Sequence, residues 1–178
     1  MDNFLSVKNL VVYILTSAHE GKHYGMAATW VTPASLRLDE VRFTVALSKF
    51  NDSTAAIRAT KKFLLQILPN NEARTAFRMG VLHSNEGGKF EDEAFTETDS
   101  GHRRLNHAIA SNEAQVISEL ETEDRFILYC RMSPIKNTSN LEPLTHQCLF
   151  NQLSDSELAQ LDQKFKQNSA QDAGLKDA

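Results

Sequence analysis

Residues 41–48 read Val-Arg-Phe-Thr-Val-Ala-Leu-Ser. No helix puts Val41, Phe43, Val45 and Leu47 on one face, but a period of two does, so the segment must be a strand with one side in a core. Phe126, Leu128, Cys130 and Met132 repeat the pattern within Arg125–Met132. Asn9 to Thr16 is different: Leu10, Val11, Val12, Tyr13, Ile14 and Leu15 form an unbroken apolar run, the signature of a strand covered on both sides. Further short strands are expected at Gly25–Val31, ended by Pro33, and at Phe63–Leu68, ended by Pro69. Leu105–Ala110 and Ala114–Leu120 are expected to be strands too, and Ala18–Tyr24 a polar connection. Strands and helices do not alternate regularly, so a parallel βαβ sheet is excluded in favour of a small β-barrel with helical insertions.

Helices are expected at three places. Asn51-Asp52-Ser53 supplies N-cap chemistry for a short helix to about Lys62. A second should start near Asn71, with Ala73, Ala76, Phe77, Gly80 and Val81 turned inward. The third is announced by Ser154 and Glu157 as a capping box, Leu153 and Leu158 as a staple, and an apolar stripe of Leu158, Leu161 and Phe165. That helix must lie on the barrel or on a second subunit. Ser84 to Arg104 is polar and acidic and is expected to be a long loop. The domain is expected to cover residues 1–167, with a disordered tail at 168–178.

Composition narrows the function classes. A net charge of -4 with no basic run argues against nucleic acid or anionic membrane as a partner. The two cysteines, Cys130 and Cys148, form no CxxC pattern and are expected to be free. His19 and His23 lie four apart across a glycine, in a turn-type composition that does not suit a metal site, so no metal is expected. Met1-Asp2-Asn3 begins no leader and no run reaches the ~18 apolar residues of a membrane span, so a cytoplasmic location is expected.

Two segments carry binding chemistry. In Tyr24–Ser35, the small residues Gly25, Ala27 and Ala28 leave backbone open to a flat ligand, and Thr29, Thr32 and Ser35 add hydroxyls. The same composition suits a tight barrel corner. In Ser48–Thr54, a strand gives way to a helix N-terminus, where free amides and the helix dipole favour an anion. Lys49 adds a charge there, and Ser48, Ser53 and Thr54 add donors. An ordinary N-cap with a surface lysine has the same appearance.

In their order and separation these segments resemble the flavin reductase-like family of FMN-binding split β-barrels. The carriers are Gly25-Met26-Ala27-Ala28-Thr29-Trp30-Val31-Thr32-Pro33-Ala34-Ser35, a strand ending in Ser48-Lys49, the Ser53-Thr54 helix start, and Lys89-Phe90 after the second helix. The Thr-Trp-Val-Thr-Pro wording is closest to the flavoredoxin-like branch. The likeness is good over residues 8 to about 95 and holds only in outline beyond.

The resemblance implies a mainly β split barrel with short helical insertions and a C-terminal helix. It implies bound FMN, with FAD as the alternative, and a homodimer. Ala27, Ala28, Thr29 and Trp30 would lie along the ring and ribityl chain, and Thr32, Pro33 and Ser35 would shape the adjoining turn. Ser48, Lys49, Ser53 and Thr54 would cradle the phosphate. The implied activity is that of an oxidoreductase passing electrons through bound flavin, with no general acid, base or nucleophile among the side chains. Single histidines such as His102 and His107 are expected to be structural or solvated.

The sequence departs from the family at Glu123-Asp124-Arg125, where a Gly-Asp-His is usual. A glycine later in that strand is replaced in the Tyr129-Cys130-Arg131 stretch. This leaves direct use of NADH or NADPH open. The alternatives are a flavoredoxin-type electron carrier fed by a redox protein partner, or a barrel that binds some other ligand without catalysis. Arg125 could itself pair with a dinucleotide phosphate.

Overall fold

A computed structural model of the chain describes residues 9–37, 39–84, 88–90, 94–134 and 140–174. The first hairpin sets the curl. Strand β1 (Tyr13–His19) pairs antiparallel with β2 (Lys22–Ala28), from Tyr13↔Ala28 to His19↔Lys22. Their two-residue link is Glu20-Gly21, with φ of 50° and 72°. Two positive φ values match the mirror-image turn whose twist suits a hairpin. Nothing lies within 4 Å of a Cβ built on Gly21, so conformation alone selects glycine there. The connection is thus two residues, shorter than the polar run 18–24 suggests, because alternating polar residues extend both strands at an exposed hairpin end.

The remaining strands are β3 (Val31–Pro33), β4 (Val41–Ser48), β5 (Lys62–Ile67), β8 (Ala110–Glu121) and β9 (Arg125–Met132). With the first hairpin they make a seven-stranded antiparallel sheet in the order β2-β1-β5-β8-β9-β4-β3. β2 and β3 are its two edges, yet only Thr29 and Trp30 separate them in sequence. Three Cα–Cα steps span at most about 11 Å, so the sheet must curl until its edges nearly meet. The result is a mainly β split barrel with a seam at Thr29–Trp30. Sequence patterning suggested one strand over Gly25–Val31. The structure breaks it into β2 and β3 at this point.

Two cores flank the sheet. Inside the barrel lie Leu15, Val45, Leu47, Phe63, Leu128 and Cys130, and helix α1 (Asp52–Thr60) contributes Ile57 to the same cluster. Outside β1 and β5, Val12, Ile14 and Leu68 pack with α2 (Ala73–Val81), α3 (His146–Gln152) and the start of α4 (Asp155–Gly174). β1 therefore sends Leu15 into one core and Ile14 into the other, which explains its unbroken apolar run.

Several details differ from expectation. The buried face of α2 is Ala73, Thr75, Ala76 and Met79, while Phe77, Gly80 and Val81 stay half-buried at its flank. The 84–104 stretch includes a hairpin of β6 (Phe95–Glu97) and β7 (Arg103–Leu105). The strand expected at Leu105–Ala110 is mostly a turn, and β8 begins at Ala110. α3 was not foreseen. The capping box forms, with the Ser154 N–H on Glu157 Oε2 at 2.8 Å. Leu158 and Leu161 pack on the outer core, but Phe165 is 70% exposed. α4 then continues to Gly174, past Asn168 where polar composition suggested disorder.

Among the described residues no helix is long and apolar enough to cross a membrane. Cys130 is buried, Cys148 is half-buried, and both are free.

Candidate functional site

The seam is bounded by two edge strands, whose outward N–H and C=O groups have no neighbouring strand to pair with. Ala27 faces α2 and the outer core. A Cβ on Gly80 would come 3.6 Å from the Ala27 methyl. Ala28 packs instead on the barrel core. Thr29 is half-buried, and Trp30 lies open at 38% exposure while its carbonyl accepts from Ala46 N–H at 3.1 Å. On β3, Thr32 and Pro33 are exposed and sit opposite Thr44 and Phe43. Pro33 can occupy this strand because an edge leaves its missing N–H unneeded. Ser35 Oγ accepts from Arg37 N–H at 3.2 Å and holds the following turn.

Gly25 plays a packing part. It is buried, and a Cβ there would run into the Met79 side chain and come within 2.8 Å of the Phe90 ring. Phe90 also meets Phe95 edge-on at 5.4 Å. The neighbouring Lys89 is buried and donates to the carbonyl of Leu82 at the end of α2, where a cation suits the helix dipole. Lys89-Phe90 thus closes α2 against β2.

The second cluster divides into an inner and an outer half. Asn51 caps α1 by accepting from Ser53 N–H at 2.9 Å, so the first amides are partly used within the helix. Ser53 and Thr54 turn inward and are buried. Ser53 Oγ donates to the Gly25 carbonyl at 3.1 Å, and Ser84 Oγ accepts from Gly25 N–H at 3.3 Å. Thr54 Oγ1 is buried with no hydrogen-bond partner among the described residues. Such an orphan is uncommon and needs a water or a ligand.

Ser48 and Lys49 form the outer half, beside the start of β9. Lys49 Nζ meets Glu121 Oε1 at 2.7 Å and lies 5.4 Å from the Phe126 ring centroid. Ser48 sits directly opposite Arg125 across the β4–β9 ladder. The Arg125 guanidinium lies 4.8 Å from the Trp30 ring centroid, a cation–π arrangement. It also bonds Asp124 Oδ2 at 3.2 Å. The carboxylate of Asp172, from the last turn of α4, completes the group. One of its oxygens accepts from Ser48 Oγ at 3.1 Å and the other from Arg125 Nη2.

The outer half thus holds a carboxylate, that of Asp172, on two donors. It adjoins Trp30, which is 38% exposed at the seam. A flat molecule with an anionic arm has at this place an aromatic wall, edge-strand backbone and charge-assisted donors. These features are of the kind that a flavin's ring and phosphate arm require. Arg125, Ser84 and Asp172 gave no periodic signal in the sequence. Arg125 stood out only as the residue replacing a histidine.

Outside this region, His102 is buried on the β7 side; neither ring nitrogen has a hydrogen-bond partner among the described residues, and Nε2 lies 3.8 Å from Glu113 Oε2. Burial lowers its pKa more than nearby Glu113 raises it. That direction favours the neutral ring, and His107 is exposed. No group of three potential metal ligands occurs among the described residues.

Residues 9–150 match the family model described as "Flavin reductase like domain". A Nostoc sp. strain PCC 7120 protein named as a diflavin flavoprotein A 2 is 27% identical over 120 residues, covering 67% of this chain and 20% of that protein. The chain thus spans about a fifth of that relative's length. Nitrilotriacetate monooxygenase component B from Mycobacterium thermoresistibile superposes with a TM-score of 0.67 at 23% identity, over 78% of this chain and 76% of that one. An FMN-binding protein from Thermus thermophilus, solved with p-hydroxybenzaldehyde, superposes with a TM-score of 0.66 at 16% identity, over 78% and 77%. These two share the barrel. With its seam between β2 and β3 and the family model matching residues 9–150, the chain belongs to the flavin reductase-like family.

Proposed function

We propose that this chain binds FMN at the β2–β3 seam and acts as an oxidoreductase that passes electrons through it. The observation that supports the reading is the Ser48–Arg125 pair, which holds the Asp172 carboxylate next to Trp30 where the two sheet edges, β2 and β3, approach. Bound flavin supplies the redox chemistry, exchanging electrons with a donor and an acceptor. The chain's own residues bind and orient. The β2 edge at Ala27–Thr29 offers backbone groups, and Trp30 supplies an apolar wall. Thr29, Thr32 and Ser35 offer hydroxyls, with Pro33 fixing the turn between them. Ser48 and Arg125 take the phosphate, Lys49 adds positive potential, and the orphan hydroxyl of Thr54 with Ser53 supports the same end from within. FAD fits the same donors with its pyrophosphate.

A second reading is an electron carrier of flavoredoxin type, fed by a redox protein. One observation favours it: Arg125 stands where the family's histidine is usual and is tied to Asp124, Asp172 and Trp30. A homodimer belongs to either reading. Phe165 is 70% exposed at the end of an otherwise packed stripe, and Leu120 and Ile117 are 61% and 44% exposed on β8, apolar surface that a second subunit would cover.

Anaerobic spectra separate the two readings. Protein loaded with FMN should lose its flavin absorbance on addition of NADH or NADPH if it is a reductase. Absorbance that persists with both, but bleaches with dithionite, would make it a carrier. Light scattering at the monomer mass over the whole accessible concentration range would remove the dimer.

A further inference from the structure

α4 reaches from the outer core, where Leu158 and Leu161 pack, to the seam, where Asp172 meets Ser48 and Arg125. The two ends are held very differently. Across residues 165–174 every residue is exposed except Asp172, whose side chain is 11% exposed. Among the described residues, neither core cluster includes a residue from this half of the helix. Its attachment is polar: Lys164 Nζ and His83 Nε2 lie 2.7 Å apart, and beyond them Asp172 is the inserted group. A ten-residue polar helix segment is marginal without packing, so its position depends on the carboxylate.

That carboxylate sits on the donors a phosphate would need. Each oxygen takes one donor, as two oxygens of a phosphate would. Arg125 already shares its charge with Asp124, and Lys49 with Glu121. The site therefore has little spare positive charge while Asp172 is in place. A phosphate monoester brings about -1.5 to -2 charges near neutral pH against one for a carboxylate, and more acceptor oxygens, so it competes well for the same donors.

We propose that Asp172 is a built-in anion that closes the Ser48–Arg125 site, and that a phosphate-bearing ligand enters by displacing the last turns of α4. This rests on the flavin reading only for the identity of the ligand. The helix end is thereby a gate. It keeps Arg125 paired when no ligand is bound, and it subtracts from ligand affinity the free energy of breaking the Asp172 contacts.

The test uses the full chain and its Asp172→Asn variant, which keeps size and removes charge. FMN and riboflavin are titrated into both, and hydrogen exchange of residues 165–174 is followed with FMN, with riboflavin and with inorganic phosphate. Loss of the Asp172–Arg125 ion pair should tighten FMN by about three- to tenfold in Asp172→Asn, with riboflavin unchanged. In the natural sequence FMN and millimolar phosphate should both speed exchange at 165–174, and riboflavin should not. FMN binding with equal affinity to both proteins and unchanged exchange would overturn the gate while leaving the flavin reading intact. Absence of FMN binding, with phosphate still releasing 165–174, would support the gate and remove the flavin. Exchange unmoved by either anion would overturn the gate whatever FMN does.

Discussion

Ser53 Oγ donates a 3.1 Å hydrogen bond to the carbonyl oxygen of Gly25. The bond joins the first turn of α1 to β2, and so ties together the two segments proposed to bind the flavin. Both partners are buried. Replacing Ser53 with Ala strands a buried carbonyl and should cost about 1–3 kcal/mol of stability, read as a lower urea midpoint with an unchanged slope. Ser53→Thr retains the hydroxyl and should recover part of the loss. An Ala variant as stable as the natural protein would show that the bond contributes nothing.

Gly25 is the other half of this joint. Gly25→Ala would press on Met79 and Phe90, which lie where the new methyl must go. Overpacking of this kind costs about 1–3 kcal/mol. Met79→Ala in the same chain should return part of that loss by making room. If the double variant were no more stable than the sum of the two single changes predicts, the clash would not be the cause.

The β8–β9 end carries a charge cluster with an acid signature. Glu119 is bonded by Arg58 at 2.7 Å and Lys61 at 2.8 Å, and those hydrogen bonds hold its pKa at about 2, below the ordinary 4.5. A depressed carboxylate contributes stability above its unfolded pKa and loses it as pH falls through the folded one. The contribution should thus be complete above about pH 5 and disappear between there and about pH 2. Glu119→Gln should lower stability by no more than about 1 kcal/mol near neutrality, since the pair is near the surface. The difference between the two proteins should vanish toward pH 2. A difference constant down to that pH would separate Glu119 from acid unfolding.

His102 gives the opposite kind of test. Burial lowers its pKa from 6.5, with Lys62 and His23 acting in the same direction and Glu113 against them. The unfolded chain therefore binds a proton more readily than the folded one. Stability is unaffected above the unfolded value and falls as pH drops from 6.5 through the folded value. His102→Leu removes this titration, so unfolding measured at steps between pH 7.5 and 5 should lose stability less steeply. An unchanged slope would mean that His102 is solvated.

How much of this was readable in the sequence follows from what each residue answers to. Phe43, Val45 and Leu47 answer to a local period of two, and all three are buried as the alternation requires. Leu15 and Ile14 answer to burial on both sides, and the structure supplies two cores for them. The break at Thr29–Trp30 has no local cause. It comes from closure of a seven-stranded sheet, which no window of a dozen residues contains. α3 escaped notice because it buries only Leu149 and shows no stripe. The extension of α4 escaped for a related reason: residues 168–174 are as polar as a tail, and what docks them is one carboxylate on Ser48 and Arg125. The phosphate-type cluster was visible as a list of donors, but its division into an inner pair around Gly25 and an outer pair around Arg125 is tertiary.

The central claim is that the seam binds a flavin by its phosphate. Trp30 is the sole tryptophan and stands beside Arg125, so its emission reports directly on that place. Titration with FMN and with riboflavin, in the natural chain and in Lys49→Met, measures the claim. FMN should quench Trp30 with a Kd at or below tens of micromolar, roughly -6 kcal/mol, and riboflavin should bind more weakly. Deleting the Lys49 charge, already shared with Glu121, should weaken FMN by about 1 kcal/mol, near fivefold, and leave riboflavin unmoved. No quenching and no heat with either FMN or FAD at those concentrations would contradict the account.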